Sequence, residues 1–257
     1  MKLFIGFIIS LLLFPTLSSC TEKGSSDKDN IEMDDAVGLP KNVSDFNRYI
    51  SDSLDYNNVV DKVYEMLNYK PEESFRYPFE YAENRASLKT ITTPDSLMRF
   101  YSFSLPYFDD DITLIQYRNF SGLHSDFLRP DDDVKDFGVF VSDVYTLRND
   151  FEQTVYLIHC IGSDVPNEAN HRIIGVTMTD EGLTEIPIFN TGTKRLYEIA
   201  SFIVYYHSDK WANGDKIYRY DEKDQTLYIP LIEDDEFQDK FLIYKFNGLE
   251  FKYSGIR

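Results

Sequence analysis

From about residue 74 to the C-terminus, apolar and polar residues alternate with a period of two, broken at short intervals by Gly, Pro, Asn, Asp and Ser. That period is the pleat of a β-strand, and strands this closely spaced leave no room for crossovers, so they pair as antiparallel hairpins. Strands are expected over 74–81, 87–92, 98–104, 111–118, 138–147, 153–161, 171–178, 183–189, 198–207, 216–220, 226–232, 241–246 and 249–254. The aromatic content, nineteen Tyr and twenty Phe against one Trp, agrees, because such rings suit a half-buried pleated surface. The expected fold is mainly β: an antiparallel meander of hairpins, propeller-like or a sandwich or barrel, with a helical segment in front. Three stretches, IIGVTMTDEGLTEIPIF, KIYRYDEKDQTLYIPLI and FLIYKFNGLEFKYSG, share a strand–turn–strand form without a strict repeat.

Two strands invite closer reading. Asn247-Gly248 suits a two-residue type I′ turn, whose central positions both need positive φ. That turn pairs Phe246 with Leu249, Tyr244 with Phe251 and Leu242 with Tyr253, and sets Lys245 opposite Glu250. Strand 198–207 is apolar on both faces, with Ala200, Phe202, Val204 and Tyr206 on one and Ile199, Ile203 and Tyr205 on the other. A central strand is expected there.

Ahead of the strands, residues 43–69 form the helical segment. Tyr56, Val59, Val60, Val63 and Leu67 make one apolar stripe, Pro71 closes it, and a break falls near Asn57-Asn58. Residues 20–42 are polar and acidic without periodicity and are expected to be a flexible tether. Residues 1–19 have the layout of a signal peptide: Lys2, an apolar run from Leu3 to Leu13, Pro15, then small residues. Leu17-Ser18-Ser19-Cys20 resembles the lipobox of bacterial lipoproteins. The resemblance implies cleavage before Cys20, lipid on its thiol, and a place in the bacterial cell envelope, at the outer membrane and facing the periplasm or the exterior. An ordinary signal or a membrane-anchor helix is the alternative. The remainder, 43–257, reads as one domain.

The formal charge of −18 repels phosphate backbones and anionic headgroups, which argues against nucleic-acid binding; the partners expected are the membrane, through the N-terminal lipid, and a glycan or protein ligand. With Cys20 lipidated, Cys160 stands alone in the apolar run VYLIHCIG and is expected to be a small buried hydrophobe.

The stretch ITTPDSLMRFYSF, with Thr93, Asp95, Arg99, Tyr101, Ser102 and Phe103, is similar to a segment of Bacteroidetes-type envelope lipoproteins. The ending, TLYIPLI followed by FLIYKFNGLEFKY, resembles the close of the same proteins. A Gly-Gly-Thr segment that often follows in that family is replaced here by LPYFDDD. The resemblance implies a β-rich lipoprotein and carries no activity with it.

No G-x-S-x-G, H-E-x-x-H, C-x-x-C or Gly-rich phosphate loop is present, and no cofactor is implied. Of His124, His159, His171 and His207, the second and third flank an expected hairpin loop and can approach across strands. A metal there would need Asp164 or Glu168, and ordinary strand-end histidines are the simpler reading. The acidic runs Asp109–Asp111, Asp131–Asp133 and Glu233–Glu236 lack the alternation of a calcium loop and read as solvated tips. Trp211 is a candidate for stacking on a sugar ring or anchoring a partner, or simply for packing over a hairpin end. The expected function is a binding or structural role toward a glycan, peptide or protein. An unrecognised hydrolase with a carboxylate and His site, and an acidic inhibitory lipoprotein, stay open.

Overall fold

A computed structural model describes residues 31–51, 56–79, 88–103, 112–128, 139–162, 168–204, 218–233 and 236–257. The expected signal peptide (residues 1–19), Cys20 and Trp211 lie outside them. The folded unit starts at Glu32, earlier than the expected end of the tether. Strands β1 (Met33–Asp34) and β2 (Leu39–Pro40) pair, with Leu39 buried. Gly38 takes a φ of +66° in their turn, and Asp34 accepts the Ala36 N–H there and the Tyr69 hydroxyl from the helical region. One buried Leu in a polar segment leaves no periodicity to read.

Helix α1 (Val43–Ser51) is capped by Asn42, whose side chain accepts the Asp45 N–H at 2.8 Å. Val43, Phe46 and Ile50 line its buried face, as Val59, Val60, Val63, Met66 and Leu67 line that of α2 (Tyr56–Tyr69). Pro71 ends α2, as expected, but also opens a third helix, α3 (Pro71–Arg76), where a strand was expected from residue 74. Its missing N–H costs nothing at the first helical position, and buried Ser74 and Phe75 hold the turn in place.

The strands then form three meanders. Sheet one runs β3 (Leu88–Thr92), β4 (Met98–Phe103), β5 (Ile112–Asn119) and β6 (Gly122–Phe127). Sheet two runs β7 (Phe140–Arg148), β8 (Thr154–Gly162), β9 (Glu168–Thr179) and β10 (Gly182–Glu185). After β11 (Phe189–Asn190) and β12 (Arg195–Leu196), β13 (Glu198–Val204) returns to pair with β9. Sheet three orders β12, β11, β17 (Phe251–Ile256), β16 (Glu236–Phe246), β15 (Thr226–Glu233) and β14 (Arg219–Asp221). The fold is mainly antiparallel β, and no closed barrel forms among the described residues.

Three apolar clusters stack these parts as layers. The helices pack on Leu88, Tyr101, Phe103 and Leu114 of sheet one. Its other face, with Met98, Phe100 and Ile115, meets Val141, Tyr156, Ile158 and Val176 of sheet two. Val155, Leu157 and Ile173 on the far face of sheet two meet Leu227, Ile229, Tyr244, Phe246 and Phe251 of sheet three. Sheets one and two are therefore buried on both faces, and β4 is buried at all six positions. The expected central strand, 198–207, pairs only with β9 among the described residues. The expected strand 183–189 is split at Ile186–Ile188, where Pro187 supplies no ladder donor and the chain leaves sheet two for sheet three.

The last hairpin also differs from expectation. Its loop has four residues, 247–250, and Phe246 pairs with Phe251, Lys245 with Lys252 and Tyr244 with Tyr253. Asn247 accepts the N–H groups of Leu249 and Glu250 through its side chain, which widens the turn. Phe251 N–H meanwhile bonds Ile188 O, fixing the register of β17 against β11. Glu250 faces Arg195 and Asn190 instead of Lys245. Gly248 has a φ of +93°, and a Cβ there would fall inside the Asp150 carboxylate. Gly248→Val is therefore expected to cost about 2–3 kcal/mol, read as a lower urea midpoint. A midpoint equal to wild type would contradict this geometry.

Candidate functional site

Two places gather polar side chains. The first lies between sheets two and three. A β-bulge at Ser142 breaks the pairing of β7 with β8, so Val141 faces Cys160 and Asp143 faces His159. Such bulges re-aim a side chain, and here the Ser142 hydroxyl reaches His159 Nδ1 at 2.7 Å. His159 stands directly opposite Ile173, which makes His171 its diagonal neighbour on β9. Their rings meet as expected, His159 Nε2 to His171 Nδ1 at 3.2 Å, and both are 2% exposed. Tyr218 packs on both rings and donates its hydroxyl to His171 O.

The chemistry of this cluster is limited by its geometry. Ser142 and Asp143, the latter at 4.0 Å, both face Nδ1 of His159, whereas a nucleophilic triad needs hydroxyl and carboxylate on opposite ring nitrogens. The opposite nitrogen is taken by His171. Burial and the neighbouring His159 push the His171 pKa down to about 3, so it stays neutral. Asp164 lies outside the described residues, and Glu168 sits in β9 opposite Val204. Among the described residues no three His, Cys, Asp or Glu side chains are placed to hold a metal ion. Cys160 is buried as expected, its thiol pushed up to about 12 by burial.

The other candidates are dispersed. His124 closes the β5–β6 turn through Ser121 and Asn119 and stacks on Tyr117. His207, Asp109–Asp111 and Asp131–Asp133 lie outside the described residues. Glu233 and Glu236 face each other where β15 turns into β16.

The second place, which the sequence reading missed, is a groove of about 510 Å³ lined by Phe75, Arg76, Thr92, Ser96, Arg99 and Arg118. It lies between α3 and the helix-facing side of sheet one. Thr93 and Asp95 fix the turn that carries Ser96: the Thr93 hydroxyl donates to Asp95, and Asp95 accepts the Leu97 N–H and the Tyr156 hydroxyl. Arg99 is buried, donates to the carbonyls of Phe75 and Pro78, and packs by the rings of Phe79 and Tyr101. Arg118 projects from β5 over the Phe75 ring and forks onto Glu72 at 2.9 and 2.8 Å. That contact holds the Glu72 carboxyl below its ordinary pKa. Arg76 stands 3.7 Å from the same carboxylate and is otherwise open to water.

No family model matches this chain, and no curated protein or solved structure is significantly similar to it.

The His159–His171 pair makes stability depend on pH. A histidine whose folded pKa lies below its ordinary 6.5 contributes fully above that value and progressively less as pH falls toward 3. In that window the loss reaches at most about 1.4 kcal/mol per pH unit. Urea midpoints from pH 7 to 4.5 are expected to fall more steeply for wild type than for His171→Gln. Equal slopes would remove His171 as the cause.

Proposed function

We propose that this chain is a lipid-anchored envelope protein with a binding role, its ligand seated in the groove beneath α3. One observation carries the binding role. Three guanidiniums and two hydroxyls, brought by α3, β3, β4, β5 and the turn between β3 and β4, converge on one groove in a chain of formal charge −18. Guanidiniums are the side chains best suited to anionic and polar oxygens, and the volume falls within the roughly 300–1,000 Å³ of small-ligand sites. The anchor rests on Leu17-Ser18-Ser19-Cys20, on the acidic stretch after it, and on the likeness to envelope lipoproteins.

Each half has its own test. Labelled fatty acid enters the wild type and is absent from Cys20→Ala; equal labelling overturns the anchor. Panels of neutral and anionic glycans and peptides are expected to yield a ligand whose retention is lost in Arg76→Ala/Arg118→Ala at an unchanged thermal midpoint. Retention unaffected by that double substitution moves the site elsewhere. Turnover of the ligand, abolished by one Asp, Glu or His substitution in an intact fold, replaces the binding role with an enzymatic one.

A further inference from the structure

Glu72 shows how the edge of this groove holds an acid. Its two oxygens accept from both terminal nitrogens of Arg118, the paired geometry in which a planar guanidinium matches a planar carboxylate. Arg76 and Arg118 share this one carboxylate, so the trio keeps one unmatched positive charge. The Glu72 side chain is 55% exposed, and Arg76, at 79%, stands at the mouth of the groove. Nothing buries Glu72 in place: it can swing into water and release Arg118. Along the wall, the exposed hydroxyls of Thr92 and Ser96 can each donate and accept.

Resting on the groove as the ligand site, we propose that the ligand is a sugar acid, a hydroxylated ring bearing a single carboxylate. Its carboxylate replaces Glu72 on Arg118 and takes Arg76 as a second partner, while its hydroxyls meet Thr92 and Ser96. The ligand carboxylate then repeats the arrangement seen with Glu72, one carboxylate on Arg118 with Arg76 beside it, so a single acid group fills it. A polyanion would meet the repulsion of a surface with formal charge −18. The two-oxygen fit seen with Glu72 shows that the fork already receives a carboxylate in this place, and the sulfated glycan in the test below stands for the tetrahedral alternative. Glu72 is then a built-in competitor, which keeps the Arg118 fork oriented in the free protein and lowers the apparent affinity for the ligand.

The test is a calorimetric or NMR titration of the folded chain with a glucuronic-acid disaccharide, its methyl ester and the neutral glucose counterpart. The acid is expected to bind about tenfold or more tightly than the ester or the neutral sugar. Glu72→Gln should tighten binding of the acid by about two- to fivefold, the range set by exposed ion pairs, and leave the ester unchanged. Arg76→Ala and Arg118→Ala should weaken binding of the acid at unchanged thermal midpoints. Equal binding of acid and ester overturns the proposal, as does a Glu72→Gln variant that binds the acid no more tightly than wild type. A neutral or sulfated glycan, or an acidic peptide, bound in preference to the acid and lost in Arg76→Ala/Arg118→Ala overturns the sugar acid but keeps the groove. Absence of any ligand lost in that double variant overturns both.

Discussion

Strand β4 is buried on both faces, and the rest of the fold depends on how its polar side chains are satisfied there. A buried polar group without a partner costs on the order of 1–3 kcal/mol, so Arg99, Tyr101 and Ser102 would be liabilities in a plain apolar layer. Each instead reaches a different neighbour. Arg99 bonds the carbonyls of Phe75 and Pro78, and Tyr101 bonds Gln116 and Ser74 O, which fastens the helical layer to sheet one. Ser102 contacts Thr113 and accepts the N–H of Val141, which fastens sheet one to sheet two. The left-handed backbone of buried Phe79, at a φ of +58°, is held between these bonds and its edge contact with Tyr101. Apolar contact drives the layers together without direction, and these bonds choose their register.

This explains why the fold class was legible and several of its details were not. Alternation reports which residues share a face, so the strands and their antiparallel order follow from it. It does not report what lies beyond the face. The two-sided burial of β4 and β8 is hidden because Arg99, Ser102 and His159 read as polar positions, while 198–207 reads as fully apolar yet pairs on one side only among the described residues. Strand β6, Gly-Leu-His-Ser-Asp-Phe, was missed because it borders its sheet and its residues are half-exposed, leaving no pattern to detect. The Asn247-Gly248 turn was found but its length was not, since the bond from Phe251 to Ile188 comes from a segment some sixty residues away.

The candidate sites divide along the same line. His159 and His171 were legible as neighbours because one hairpin carries both, and hairpin proximity is a local property. The groove was not. Arg99 stood in a recognisable motif, but Arg76 sat in a stretch read as a strand, and Arg118 was one more strand residue. Only the folding of α3 onto β5 brings Glu72 and Phe75 to Arg118.

The acidity of the surface and the basic lining of the groove act over different ranges. At physiological ionic strength the screening length is about 8 Å, so the overall charge acts on a ligand mainly in the last steps of approach. At contact, guanidinium and oxygen are separated by much less than that length, so salt weakens their attraction less than it weakens the long-range repulsion. A ligand carrying many charges spread along a chain meets the unfavourable surface over its whole length and gains from the groove at one point. A short ligand with one acidic group avoids most of the repulsion and keeps the whole contact. On the proposed binding mode this charge distribution would select for the size of the ligand as well as for its sign, with Glu72 competing only against an acid group for Arg118.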